Sequence, residues 1–229
     1  MFENMNSKRT LMMLTGILML GSIWGLLECS LGGLKYDIFG IPVSMGAVMA
    51  GLFGIGIMSL SRKAFNFMGV SLAVAIVAGI LRLFAPVGSC VICAGIAIIS
   101  EGVIFELIVN RKFILKSLTG AKLDIPTLVY AGVVSGFLTF SIGFVLTQIL
   151  TPFFTEGTFL PLAQVVDILP LIIGRSFYAA VLGGFAMPMV MLTELVHIDF
   201  RKNGIRNTYL AASTLVALLC WVSVIFVIY

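Results

Sequence analysis

Long apolar runs separated by short polar segments constrain this chain most strongly. A helix needs roughly 20 apolar residues to cross a membrane, because each residue rises about 1.5 Å through a hydrocarbon layer about 30 Å thick. Runs of this length predict about seven spans, namely 11–32, 40–60, 66–84, 90–109, 127–151, 169–196 and 207–228. Since lipid offers no hydrogen bonds to an open strand edge, the spans are predicted to be α-helices.

Composition supports a single class of protein. Of the 229 residues 60% are hydrophobic and 10% are charged, whereas a soluble domain carries roughly 25% charged residues. The chain is therefore predicted to be an all-α, polytopic transmembrane bundle of six to seven spans, with residues 1–229 forming one integral membrane domain. The same composition excludes a soluble enzyme, a disordered segment and a nucleic-acid binder, and makes the lipid bilayer the first partner.

The basic residues predict an orientation. All but three of the 14 Lys and Arg residues fall on one side when the N-terminus is placed in the cytoplasm, as the positive-inside rule requires. Lys35 lies in an opposite-side loop, and Arg82 and Arg175 lie inside spans. We therefore expect a multi-pass protein of the cell membrane with a cytoplasmic N-terminus and, if there are seven spans, a C-terminus outside.

Ionisable residues within the spans are the candidate binding residues, because a charge at the bilayer centre costs at least about 2.5–3.5 kcal/mol and normally faces a partner or a wet cavity. Helical depth and phase place Glu28, Arg82, Glu101, Arg175 and Tyr178 in the outer half of the bundle. They predict an outward-facing cleft in which the arginines bind an anionic or carbonyl group. The glutamates are their counter-charges or accept an amine, and the tyrosine provides a stacking wall. The alternative is two structural ion pairs, Arg82 with Glu28 and Arg175 with Glu101.

Cys90 and Cys93 form a CxxC motif in the predicted first turn of the fourth span. Free backbone N–H groups at a helix N-terminus stabilise a thiolate, which thiol oxidoreductases exploit. Three interpretations stay open: small apolar packing residues, a structural disulfide that could involve Cys29, or redox or metal chemistry. The chain has one histidine, and neither a metal site nor a cofactor is expected.

Small residues spaced four apart predict close helix packing. Gly21 and Gly25 form such a pair in the first span, and the others are Ala50 with Gly54, Gly132 with Gly136, and the neighbours Gly183 and Gly184. The pattern is typical of ordinary packing within one chain. The alternative for Gly21 and Gly25 is a docking surface for a partner.

Several segments resemble the substrate-binding S-component superfamily of energy-coupling factor (ECF) transporters, in particular its S-component-like bacterial and archaeal membrane proteins. The segments are Gly-Ser-Ile-Trp-Gly-Leu-Leu-Glu at 21–28, the glycine-rich second span, Ile-Leu-Arg-Leu-Phe-Ala-Pro at 80–86, and the fourth span with Glu101 and Glu106. The resemblance implies a six-helix core that binds a vitamin-like compound from outside, with 207–228 as an addition. It also implies transmembrane and ATPase partner subunits, with Gly21 and Gly25 nearest to the family's docking residues.

The sequence therefore predicts a transport subunit that binds a small solute. The chain has no nucleotide-binding loop or hydrolase motif, so it is expected not to be an enzyme and to rely on a separate ATP-driven module. Two other functions remain: a membrane thiol-redox protein using Cys90 and Cys93, and a non-catalytic membrane assembly subunit.

Overall fold

A computed structural model describes residues 2–31, 34–38, 41–85, 90–110, 124–154, 162–193 and 203–228. These residues form seven helices and one short hairpin. In chain order the elements are α1 Phe2–Leu31, β1 Lys35–Ile38, β2 Ile41–Ser44, α2 Met45–Phe65, α3 Val70–Leu83, α4 Val91–Val109, α5 Ile125–Phe154, α6 Leu162–Leu192 and α7 Asn203–Ile228. The predicted all-α polytopic bundle is confirmed, since six of these helices are long and apolar enough to cross a membrane.

Two elements differ from the predicted spans. The third span, predicted at 66–84, is a helix of 14 residues, which is about 21 Å long. The second span, predicted from residue 40, becomes helical only at Met45, because residues 41–44 pair antiparallel with residues 35–38. Ile41, Pro42 and Val43 explain this start, since β-branched residues and the residue before a proline favour extended backbone.

The helices form a ring in which each packs against its neighbours in the order α1, α3, α4, α5, α6 and α2, with α2 returning to α1. The interior of the ring holds an apolar core that includes Trp24, Met58, Phe105, Leu128 and Met187. The most buried long helix is α2, with 56% of its apolar window inside the protein, and the least buried is α7, with 17%. Helix α7 therefore lies outside the ring, against α1.

Helices α5 and α6 meet backbone to backbone. Gly132 of α5 faces Gly183 of α6, where an added Cβ would lie 2.5 Å from the Gly132 carbonyl oxygen. Gly136 faces the backbone of Ala179 one turn away. Small residues permit this approach, and dispersion contacts hold the helices together where lipid removes the hydrophobic driving force.

Gly21 and Gly25 play the same role between α1 and α3. A Cβ on Gly21 would lie 2.7 Å from the Val74 carbonyl oxygen, and one on Gly25 would lie 3.0 Å from that of Ala78. Both glycines are buried. The predicted docking surface is thus corrected: α3 already occupies this face of α1, which leaves no room there for a partner subunit.

A polar network at one end of the bundle joins α2, α3 and α4. Arg62 of α2 lies 3.7 Å from the Glu106 carboxylate of α4 and donates to Asn110 Oδ1 at 2.8 Å. Glu106 Oε1 accepts the backbone N–H groups of Gly69 and Ser71 at 3.1 Å each. Glu106 therefore neutralises an arginine and also caps the start of α3, where free N–H groups attract a carboxylate. We call this the Arg62 end, and the opposite one the Cys90 end.

The glycine contact between α5 and α6 predicts that one added methyl group lowers the stability of the protein at some glycines and not at others. Gly136→Ala should destabilise the protein by about 1–3 kcal/mol, because its Cβ enters the backbone of α6. Gly174→Ala is the matched control, since an added Cβ there meets nothing within 4 Å. Thermal unfolding in detergent measures both variants. Equal melting temperatures for the two would contradict the packing described.

The Glu106 network predicts a graded loss of stability. Glu106→Ala leaves Arg62 without its carboxylate and should cost about 3–5 kcal/mol, the range for breaking a buried ion pair. Glu106→Gln keeps one carbonyl oxygen as an acceptor for the α3 N–H groups and should cost less. The order of melting temperatures, wild type above Gln above Ala, is the check, and an unchanged Ala variant would show that the network is dispensable.

Candidate functional site

Glu101 lies near the middle of α4 and points into the bundle. Its side chain is 7% exposed. Carboxylate oxygen Oε2 lies 3.4 Å from the place a Cβ on Gly54 of α2 would take, and Oε1 lies 3.7 Å from the equivalent place on Gly143 of α5. Trp24 of α1 also borders Gly54, at 3.1 Å from that position. Two glycines from different helices thus leave room around this carboxylate.

The Glu101 carboxylate is incompletely satisfied. Within the described part of the chain, Oε2 is buried and has no hydrogen-bond partner. An ionised carboxylate in this position costs several kcal/mol unless something compensates it. Glu106, five residues further along α4, is by contrast held by an arginine, an amide and two backbone N–H groups. Glu101 is therefore the carboxylate that structural bonding leaves free.

Glu28 of α1 lies in the same part of the bundle as Glu101. The indole N–H of Trp24 donates to Glu28 Oε1 at 3.4 Å, and the charges of Glu28 and Glu101 are close enough to interact. Arg82 of α3 also acts electrostatically on Glu28, while its Nη1 donates to the Ala85 carbonyl at 2.9 Å. Three of the predicted residues therefore do gather in one part of the bundle, between α1, α3 and α4.

Arg175 of α6 approaches from the other side. Its guanidinium carbon lies 5.9 Å from the centre of the Phe144 ring, a distance at which a cation is attracted to an aromatic face. Its Nε is buried and has no hydrogen-bond partner within the described residues. Tyr178, predicted as a stacking wall, packs with Phe144 against the small cluster that includes Phe140 and Ala179. The aromatic partner of Arg175 is thus Phe144.

Neither predicted ion pair is present. Among the residues that the structure describes, the one ion pair within 4.0 Å joins Arg62 to Glu106. Arg82 and Glu28 are near each other without reaching that distance, and Arg175 and Glu101 are each left with a buried unpartnered atom. The alternative in which the four charges only neutralise one another in pairs is therefore not what the structure contains.

Helix α2 is irregular where it passes this site. Residues Met49–Gly54 have π-helical hydrogen bonding between two α-helical segments, a feature that is frequent at functional sites. Gly54 ends this segment beside Glu101, and Gly51 within it abuts the backbone of Ala179 in α6. The irregular turn therefore lies between the acidic and the basic parts of the site.

Cys90 and Cys93 are joined by a disulfide bond at the first turn of α4. The Cys90 sulfur caps the helix by accepting the N–H of Cys93 at 3.2 Å, and the Thr151 hydroxyl of α5 lies 3.6 Å from the Cys93 sulfur. Cys29 and Cys220 are free and buried. A disulfide is thus present, and it does not include Cys29.

The residues that sequence reasoning missed are Trp24, Phe144 and Gly143. Trp24 stands four residues before Glu28, a spacing at which helix side chains meet, so a signal for it existed. Phe144 is one of 18 phenylalanines, and nothing in the sequence distinguishes it. One cavity lies away from these residues, on an apolar face of α5 and α6 lined by Val133, Phe137 and Phe177 among others. It carries no polar lining residue.

The fold and the buried charges define a multi-pass helical membrane protein with a polar site inside its bundle. No group of three or more potential metal ligands occurs in the described residues. In the comparisons with known proteins, no family model, no curated protein and no solved structure matches this chain.

The disulfide predicts a defined thiol count. When the protein is denatured without a reductant, two of its four cysteines should react with an alkylating reagent, and all four should react after reduction. Peptide mass spectrometry should assign the first two to Cys29 and Cys220. Alkylation of Cys90 or Cys93 before reduction would contradict the bond.

Proposed function

We propose that the protein is a membrane transport subunit that binds a small, vitamin-like solute between its helices. The observation that carries the proposal is the Glu101 carboxylate, which is buried at the centre of the ring, bordered by Gly54 and Gly143, and unpartnered at Oε2. A polar group with this burial is rare in a membrane bundle, and such residues typically mark substrate or ion pathways.

The site has the composition of a small-molecule site. Four helices each contribute a charged group to a largely apolar interior, and Trp24, Phe144 and Tyr178 provide aromatic surfaces. Small-molecule sites commonly combine apolar and aromatic walls with a few polar groups that fix the orientation of the ligand. Both charge types are present, so the site can orient a polar solute.

The proposed partners follow from the resemblance to S-components of ECF transporters. In this proposal the protein captures the solute at the Cys90 end, which the charge distribution predicts to be outside, and a separate ATP-driven module supplies the energy. Docking on Gly21 and Gly25 is excluded by α3, so partner subunits would contact other faces. The site is closed around Glu101, and a solute reaches it only when helices separate.

The proposal predicts that Glu101 matters for binding and not for folding. Because Oε2 accepts no hydrogen bond, Glu101→Gln should unfold at the wild-type temperature or above it, as is usual when an unfavourable functional group is removed. The same variant should lose the bound solute. Glu106→Gln is the matched control on the same helix, and it should be less stable while still carrying solute.

The measurement is affinity purification in mild detergent, followed by mass spectrometry of protein partners and of small molecules released by denaturation. A compound that accompanies the wild type and the Glu106→Gln protein, and is absent from Glu101→Gln, supports the proposal. If wild-type protein carries no compound and shows no ligand-dependent thermal shift against a metabolite library, the assembly-subunit alternative stands instead.

A thiol-redox function is the second candidate, and the Cys90–Cys93 disulfide favours it. A partner dithiol that attacks this bond would leave as a disulfide, with two electrons and two protons passing to the cysteines. Cys93 is 1% exposed, so attack would occur at Cys90. Replacing both cysteines with serine should abolish thiol exchange with a model dithiol if this function is correct, and should leave solute binding intact if the transport proposal is.

A further inference from the structure

The described residues include two charged side chains that each have a buried polar atom without a hydrogen-bond partner. They are Glu101, at Oε2, and Arg175, at Nε. One atom is an acceptor and the other a donor, and they belong to groups of opposite charge. Since buried polar groups are nearly always hydrogen-bonded, each exception calls for a physical explanation.

Both groups lie against the same turn of α5. Glu101 Oε1 lies 3.7 Å from the place a Cβ on Gly143 would take, and the Arg175 guanidinium lies 5.9 Å from the ring of Phe144, the next residue. The two side chains come from α4 and α6, which pack on α5 from either side. They do not form an ion pair with each other within 4.0 Å. The two charged groups thus border the same turn of α5 without pairing with each other.

From this arrangement we infer that the solute is a zwitterion with an ammonium group and a carboxylate group. The ammonium binds at Glu101, where Glu28 adds a second negative charge, and the carboxylate binds at Arg175. The inference rests on the proposed function, since it names the class of solute for that site. One ligand of this kind supplies a partner to both unpartnered atoms at once.

Charge balance favours a zwitterion over a simple ion. The site contains two carboxylates, Glu28 and Glu101, and two guanidinium groups, Arg82 and Arg175, so its formal charges cancel. A cation or an anion alone would leave a net charge within the membrane, where an uncompensated charge is costly. A zwitterion keeps the site neutral. The missing side chains at Gly54 and Gly143 provide space beside Glu101, and Phe144 borders Arg175.

The test uses matched probes on the purified full-length protein. β-Alanine carries both charges, propylamine carries only the ammonium group, and propionate carries only the carboxylate. γ-Aminobutyrate and ε-aminohexanoate extend the distance between the charges. Thermal shift and calorimetry should show that at least one zwitterion binds about tenfold or more tightly than the amine or the acid of equal length, since each missing charge leaves a buried group unpartnered.

Two variants should lose opposite halves of this preference. In Glu101→Gln the zwitterion should bind no better than the matching acid, and in Arg175→Gln no better than the matching amine. A merely structural role of either residue would weaken all probes alike. Asp124→Asn, an exposed charge at the start of α5, is the control and should leave the preference unchanged.

Three results would overturn the inference: the amine alone binds as well as the zwitterion, the acid alone does so, or no zwitterion of the series binds. The copurification experiment tests the proposed function separately from the zwitterion inference. If the compound that copurifies with wild-type protein carries one charge or none, the zwitterion inference fails and the solute-binding proposal stands. If no compound copurifies and the metabolite library gives no shift, both fail.

Discussion

The absence of water in the bilayer is the constraint on which this structure depends, because every buried charge must be compensated by the protein or by something that the protein binds. Helix α4 shows both outcomes within five residues. Glu106 is fully engaged by Arg62, Asn110 and the start of α3, whereas Glu101 has a free oxygen at the centre of the ring. The first carboxylate stabilises the fold, and the second is available for a ligand.

Glycines determine where the space for a ligand can be. At the α5–α6 crossing, Gly132 and Gly183 bring two backbones together and leave no gap. Gly54 and Gly143 also have no Cβ, but they face the Glu101 carboxylate instead of another backbone. These two glycines leave room around Glu101 while the helices that carry them stay packed. The π-helical turn of α2 ends at Gly54, beside this carboxylate.

Sequence reasoning predicted the helical bundle, the glycine contacts and the presence of Glu28, Arg82 and Glu101 in one region, since hydropathy and helical phase fix span positions and inward faces. It could not predict which charges pair, because depth and phase do not specify the neighbouring helix. That information depends on the packing order, in which α2 separates Glu101 from part of α6. The same limit explains why the contact between Phe144 and Arg175 was not predicted.

The polar contacts between α6 and its neighbours differ between the two ends of the bundle. At the Arg62 end, Lys63 of α2 binds the carbonyl oxygens of Val190 and Met191 at the end of α6, so these two helices are tied together there. Towards the Cys90 end, the described side-chain hydrogen bond between α6 and α5 is the one that joins Ser176 to Ser141. Among the residues that the structure describes, this half of α6 therefore has fewer side-chain hydrogen bonds to its neighbours than its other end has. Arg175 lies in this half of α6, so the described contacts restrain its part of the helix less than the end at Met191.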